Sequence, residues 1–366
     1  MISIKFLRGL IKSPWARWVL SLAFLGLILY FLRGQLEFLK TGIQQIQHID
    51  PLGIALTFVL LIISFVAMAK VMQILLRSGG TDARLTGSTA LTFASNSWSS
   101  TLPGGPAFSA ILTYKVQRAW GASPVLCSWF FILSSALSTV WLVALGMIAV
   151  FFMGASLNLW SLIASLAAMV ALSGAVYWGS RNPDTLGRWV RTVAGKRKEG
   201  LVDKLLDHID QLRSVTLTGA QFAAAALWSL LNRLFDAMSL WVCIWAVTGT
   251  APLFDAQPDN TTIAGVLLAY TTAKIAGSIQ ATPGGIGPVE AAYIGALVAT
   301  GMTAVHAAGA VIVYRLCSWV IMALVGWVIY FIYFTPKGLV ATEVPDGEHD
   351  TMKTNNNQID SERPAP

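Results

Sequence analysis

Apolar runs about as long as a bilayer-crossing helix recur along this chain, separated by segments that hold most of its Lys and Arg residues. Six of them read as full spans: Trp15–Leu32, Pro51–Leu76, Val125–Met153, Leu157–Trp178, Gly219–Val247 and Ala304–Phe334. Lys5, Arg8, Lys12 and Arg17 lie at the start of the first span, and no small-residue cleavage site follows Leu32. That run therefore reads as an uncleaved signal anchor. The polar stretch Gly179–Thr218 contains one expected surface helix, Leu201–Arg213. From Thr335 the chain turns polar and low in complexity and is expected to be disordered.

Two apolar stretches depart from this pattern. Leu85–Trp120 is interrupted by Leu102-Pro103-Gly104-Gly105-Pro106, and Ile263–Thr300 by Thr282-Pro283-Gly284-Gly285-Ile286-Gly287. Proline removes a backbone donor and paired glycines favour a turn, so a helix stops at each site. Irregular backbone at membrane depth has to be shielded by protein or line a watery cavity. Both stretches are expected to form re-entrant helical hairpins.

Charge placement orients the chain. With the amino terminus in the cytoplasm, Arg33 and Lys40 are the only basic residues in outside loops. Arg77, Arg84, Lys115, Arg118, the basic residues of Gly179–Thr218 and Lys337 all fall inside. This follows the positive-inside rule and puts both termini in the cytoplasm. Only 12% of residues are charged and 55% are hydrophobic, with a mean hydropathy of +0.64. That balance excludes an ordinary soluble domain. The net charge of +7 is spread over short loops, which suits topology and anionic headgroups better than nucleic acid. Cys127, Cys243 and Cys317 lie in apolar runs at no metal or disulfide spacing. The four histidines form no ligand cluster, and His306 reads as interfacial. Neither a metal nor another cofactor is expected.

The two breaks align with each other at an offset of 180 residues. From Pro103 to Gly121, against Pro283 to Gly301, five of 19 positions are identical: the Pro-Gly-Gly triplet, Ala119/Ala299 and Gly121/Gly301. In the deduced topology the first hairpin enters from the cytoplasm and the second from outside. The fold expectation is thus an all-α polytopic membrane protein with two inverted repeats, at about 51–153 and 219–334. Transporters built this way bind substrate near the repeat interface.

Apart from interfacial ones, six charged residues lie within spans or hairpins: Lys70, Arg233, Asp236, Lys274, Glu290 and Arg315. Each costs roughly 2.5–3.5 kcal/mol at the centre of a lone helix, so each needs a partner or water. Arg233 and Asp236, three apart, share a helix face and read as a self-neutralising pair or as part of a site. Glu290 lies near the second break. Antiparallel packing would carry it to Arg315 on the next span, and this pair is favoured as the core of a site. Lys274 is placed to meet a headgroup phosphate or to pair with Glu290. Lys70 reads as snorkelling. Backbone amides freed at the broken helices suit a phosphate, and Gly104, Gly105, Gly284 and Gly285 permit close approach. Ser95, Asn96, Ser97, Ser99, Ser100 and Thr101 make the approach to the first break polar enough for a wet cavity. Lys115 and Arg118 either recruit anionic headgroups or mark the interface.

The segment from Leu102 to Ser109 resembles the first signature of the lysylphosphatidylglycerol synthase transmembrane family, and the segment from Thr282 to Glu290 resembles the second. Arg315 sits in the following span, as the family's arginine does. The resemblance covers roughly residues 15 to 335. It implies a flippase-type module in a bacterial cytoplasmic membrane, moving an anionic phospholipid, an aminoacyl-phospholipid or a lipid-linked precursor. Larger members also carry a soluble aminoacyl-transferase domain. Only 32 polar residues follow Phe334, so enzymatic lipid aminoacylation is not expected. Membrane lipids are the expected partners, with a homo-oligomer or an envelope-synthesis partner left open. The rival reading is a membrane subunit or scaffold of a lipid-linked envelope-assembly enzyme complex.

Overall fold

The computed structural model describes residues 50–102, 104–153, 217–255, 257–278 and 282–336. The expected spans Trp15–Leu32 and Leu157–Trp178, the surface helix Leu201–Arg213, the polar tail beyond Pro336 and the break residue Pro103 lie outside them. The described residues form helices and connecting turns with no strand among them.

We number these helices in chain order: α1 Pro51–Ser78, α2 Leu85–Thr101, α3 Gly105–Ala119, α4 Pro124–Phe152, α5 Gly219–Thr248, α6 Ile263–Ser278, α7 Pro288–Ala299 and α8 Ala304–Phe334. Helices α1, α4, α5 and α8 hold 28, 29, 30 and 31 residues and are apolar enough to cross a membrane. At about 1.5 Å per residue each exceeds the roughly 30 Å hydrocarbon core. Helices α2, α3, α6 and α7, at 17, 15, 16 and 12 residues, do not.

Local signals account for the boundaries. Asp50, Ser123 and Thr303 each accept a backbone N–H of the first turn that follows, from Leu52, Leu126 and His306. Thr218 and Gln221 form a reciprocal capping box at α5. Helix α8 is not uniform: Leu316–Ile321 and Tyr330–Phe334 are π-helical.

The connections after the two breaks repeat each other at the offset of 180. Gly104 and Gly284 have φ of 67° and 65°. The Gly105 N–H donates to the Leu102 carbonyl, and the Gly285 N–H to that of Thr282. Further on, Gly121 donates to Arg118 and Ala122 to Gln117, just as Gly301 donates to Val298 and Met302 to Leu297. Tertiary packing repeats as well. Exchanging α1–α4 for α5–α8 maps each helix–helix packing onto another: α2 lies on α8 as α6 lies on α4, and α1 packs directly on α5. Two large apolar cores result among the described residues, beside a small cluster of Leu61, Phe93, Cys317 and Met322. One joins α1–α4 to the end of α8 through Trp98, Trp327 and Tyr330, and the other joins α5–α8 to Leu145 of α4.

Candidate functional site

A polar cavity of about 620 Å³ opens between the two halves. Hydroxyls and amides line one side, among them Ser95, Asn96, Ser99 and Ser100 of α2 and Ser109 of α3. Arg233 and Asp236 of α5, Lys274 of α6 and Arg315 of α8 line the other, together with Gly284 and Gly285 of the second break. The serine-rich approach therefore faces the charges of the second half.

Two ion pairs organise the charged side. Arg315 Nε lies 2.6 Å from Glu290 Oε1, with the side chains only 10% and 15% exposed. The same guanidinium donates from Nη2 to the Gly284 carbonyl at 2.5 Å, and Glu290 Oε2 accepts the Gly287 N–H at 2.6 Å. Arg315 thus ties the second break and the start of α7 to α8. This contact is the one the sequence favoured, and antiparallel packing of α7 on α8 brings it about.

The second pair overturns one of the two alternatives at Lys274 and one at Arg233 and Asp236. Lys274 does not reach Glu290. Its Nζ lies 2.6 Å from Asp236 Oδ2, and Asp236 takes this cation in place of a self-neutralising bond to Arg233. Asp236 also accepts the hydroxyls of Tyr270 at 3.0 Å and Tyr314 at 2.9 Å. The reason is packing. Residues three apart share a face, but the carboxylate on α5 lies against α6 and α8, whose donors reach it. Arg233 turns to Ser138 of α4 and to the Tyr270 hydroxyl at 3.5 Å.

Gly104, Gly105, Lys115 and Arg118 lie off the cavity lining. Gly104 is exposed, with open space around it. Gly105 has its role in packing: a Cβ there would collide with the carbonyls of Trp98 and Ser99 in the last turn of α2. Lys115 is half-buried on α3, and Arg118 donates to the Ala122 carbonyl at 2.5 Å at the end of α3. Of Pro283 only the backbone is described, as the first residue of a 3₁₀ turn running to Gly285. Lys70 donates to Gln73 at 2.8 Å. The three cysteines are buried and unpaired, and no cluster of metal-ligating side chains occurs among the described residues. His306 is part-exposed and meets Asp259 at 2.6 Å.

Sequence reasoning missed the aromatic members of the site. Tyr270 lies one turn before Lys274 and Tyr314 directly precedes Arg315, a proximity to in-span charges that marks both. Trp319, in the first π-helical stretch of α8, donates from Nε1 to the Ser100 carbonyl at 3.2 Å and stacks under the Arg315 guanidinium at 5.1 Å. It also lies so close to Gly284 that a Cβ there would sit 2.5 Å from its Nε1. Trp319 therefore wedges between α2 and the second break, in a helix distortion of the kind that often marks functional sites.

Membrane-crossing helices around a charged, hydroxylated cavity define a polytopic membrane protein with an internal polar site. The chain belongs to the family described as the lysylphosphatidylglycerol synthase TM region, whose model matches residues 18–326. No curated protein matches the sequence.

Proposed function

We propose that the protein is a lipid translocase of the cytoplasmic membrane, and that the cavity between its halves receives the headgroup while the acyl chains remain in lipid. The observation that carries this reading is the cavity itself. Three cations and one carboxylate line it inside a bundle of membrane-crossing helices, where each charge is expensive unless it serves a partner. Membership of a lipid-related membrane family points the same way.

The architecture in this proposal is an inverted repeat. The matched turns at an offset of 180 and the exchange of packing partners between α1–α4 and α5–α8 support it. The short pairs α2–α3 and α6–α7 act as re-entrant hairpins, entering from opposite sides, with both termini in the cytoplasm. Alternating access then amounts to rocking of one half on the other about the α1–α5 contact. The protein does not transform the lipid chemically. It moves an anionic phospholipid, an aminoacyl-phospholipid or a lipid-linked precursor.

Leaflet exchange of fluorescent phospholipids in proteoliposomes tests this. Wild type should exceed protein-free vesicles, and Lys274→Gln should fall toward them. Correctly inserted wild-type protein that exchanges none of the three lipid types would retire the translocase reading in favour of a scaffold or enzyme subunit.

A further inference from the structure

The proposed headgroup cavity also selects among headgroups, by charge and by hydrogen-bonding capacity; this selection rests on the reading just given. Arg315 is neutralised by Glu290 and Lys274 by Asp236. Arg233 has no carboxylate within salt-bridge reach among the described residues. Its contacts are two neutral hydroxyls, Ser138 and Tyr270, and its Nε is buried without a hydrogen-bond partner. The lining therefore carries one uncompensated positive charge. A half-buried guanidinium without a counter-charge is costly, and a singly charged anion offsets that cost.

The other side of the cavity is neutral and offers polar groups that are open to a ligand. The side chains of Asn96, Ser99 and Ser109 line it and have no hydrogen-bond partner among the described residues. Ser95 and Ser100 donate only to carbonyls of their own helix, which leaves their oxygens free to accept. Such a shelf suits a ligand bearing several hydroxyls. An amine, by contrast, would seek Asp236, whose oxygens are already taken by Lys274, Tyr270 and Tyr314.

We propose that the cavity binds a lipid with a singly charged phosphodiester and a polyhydroxyl, amine-free headgroup. The phosphate lies at Arg233 and Lys274, and the hydroxyls lie on Asn96, Ser99 and Ser109. A glycerol headgroup and a lipid-linked sugar phosphate share this chemistry. A phosphomonoester dianion brings one charge too many, and a zwitterion or an aminoacylated lipid brings an amine the site has no carboxylate to receive.

Competition binding to the purified full-length protein tests this without reference to transport. The probes are short-chain phosphatidylglycerol, a prenyl phosphosugar, phosphatidylmethanol, phosphatidic acid, phosphatidylcholine and lysyl-phosphatidylglycerol. One or both of the first two should bind tightest, and which of them does identifies the source of the headgroup. Phosphatidylmethanol, with the charge but no hydroxyls, should be weaker, and the others weaker still. Arg233→Gln should weaken phosphatidylglycerol binding about ten- to hundred-fold, the loss of one charge-assisted hydrogen-bonded contact. Asn96→Leu combined with Ser99→Ala should bring phosphatidylglycerol down to the level of phosphatidylmethanol and leave phosphatidylmethanol unchanged. Equal or tighter binding of phosphatidylcholine, phosphatidic acid or lysyl-phosphatidylglycerol by wild type overturns the proposal, whatever the variants do. Selective binding without leaflet exchange would retire the translocase reading and keep this one. Exchange with a preference for the aminoacylated lipid would do the reverse.

Discussion

Lys274 and Asp236 are 38 positions apart in sequence and 2.6 Å apart in space, joined across the packing of α6 on α5. Two tyrosine hydroxyls complete the shell of the carboxylate, so donors from two helices, α6 and α8, hold it at once. The Lys274 side chain is 34% exposed and that of Asp236 14%, and both line the cavity. Asp236→Asn should destabilise the protein, because Lys274 then joins Arg233 as a second cation without a counter-charge. Pairing it with Lys274→Gln should recover part of the loss. The coupling energy in a double-mutant cycle of thermal unfolding in detergent should be about 0.5–3 kcal/mol. Additive effects would mean that the two groups do not act as a pair.

The Glu290–Arg315 pair is more buried and has a different task. Arg315→Ala leaves a carboxylate uncompensated and releases the Gly284 carbonyl, and it should cost about 3–5 kcal/mol. Glu290→Gln together with Arg315→Met should be milder than Arg315→Ala alone. A double variant no more stable than that single variant would mean that the stranded charge is not what destabilises it. Unfolding followed by denaturant titration in mixed micelles reads this difference.

The two breaks should respond differently to the same substitution. Gly104 and Gly284 have nearly equal positive φ, so an alanine at either incurs about 1–2 kcal/mol of backbone strain. At Gly104 the surrounding space is open, whereas at Gly284 the new Cβ meets the Trp319 indole. Gly284→Ala should therefore lower the melting temperature more than Gly104→Ala, and Trp319→Leu should suppress the excess. Equal losses at both positions would remove the wedge role assigned to Trp319.

Asp259 provides a pH test in the loop between α5 and α6. The Thr303 backbone N–H, donated at 2.7 Å, holds its carboxyl below the usual carboxylate range, and His306 adds to this. A depressed folded value stabilises at pH above the ordinary one, near about 3.9, and the contribution is lost as acid titrates the folded carboxylate. Asp259→Asn should therefore melt slightly below wild type at pH 7. The gap should narrow as pH falls below about 4. A gap independent of pH would mean that the carboxylate's charge is not what matters there.

Much of this arrangement was legible because the features that encode it are local or forced. Pro-Gly-Gly has to interrupt a helix, and Glu290 sits one turn past such an interruption, so its meeting with Arg315 required only that α7 fold back on α8. The four described spans were legible from apolar length, with ends that moved by one residue at Pro124, Phe152 and Thr248 and by two at Ser78. The Lys274–Asp236 pair was not legible, because it depends on how α6 is rotated against α5, which no periodicity specifies. Residues Lys115 and Arg118 were grouped with the site for their charge, but they lie on the far part of α3, away from the cavity. The tyrosines escaped because a phenol in an apolar run looks like packing until its hydroxyl is seen on a buried carboxylate.

The central claim is that headgroups pass through the cavity. Ser99 lines it and takes no part in either ion pair. Ser99→Trp fills the space while leaving Lys274–Asp236 and Glu290–Arg315 intact. Leaflet exchange of fluorescent phosphatidylglycerol in proteoliposomes, compared between wild type and Ser99→Trp at matched insertion, is the direct measurement. The account predicts exchange by wild type and its loss in Ser99→Trp, with the melting temperature little changed. Exchange by Ser99→Trp at the wild-type rate would contradict it.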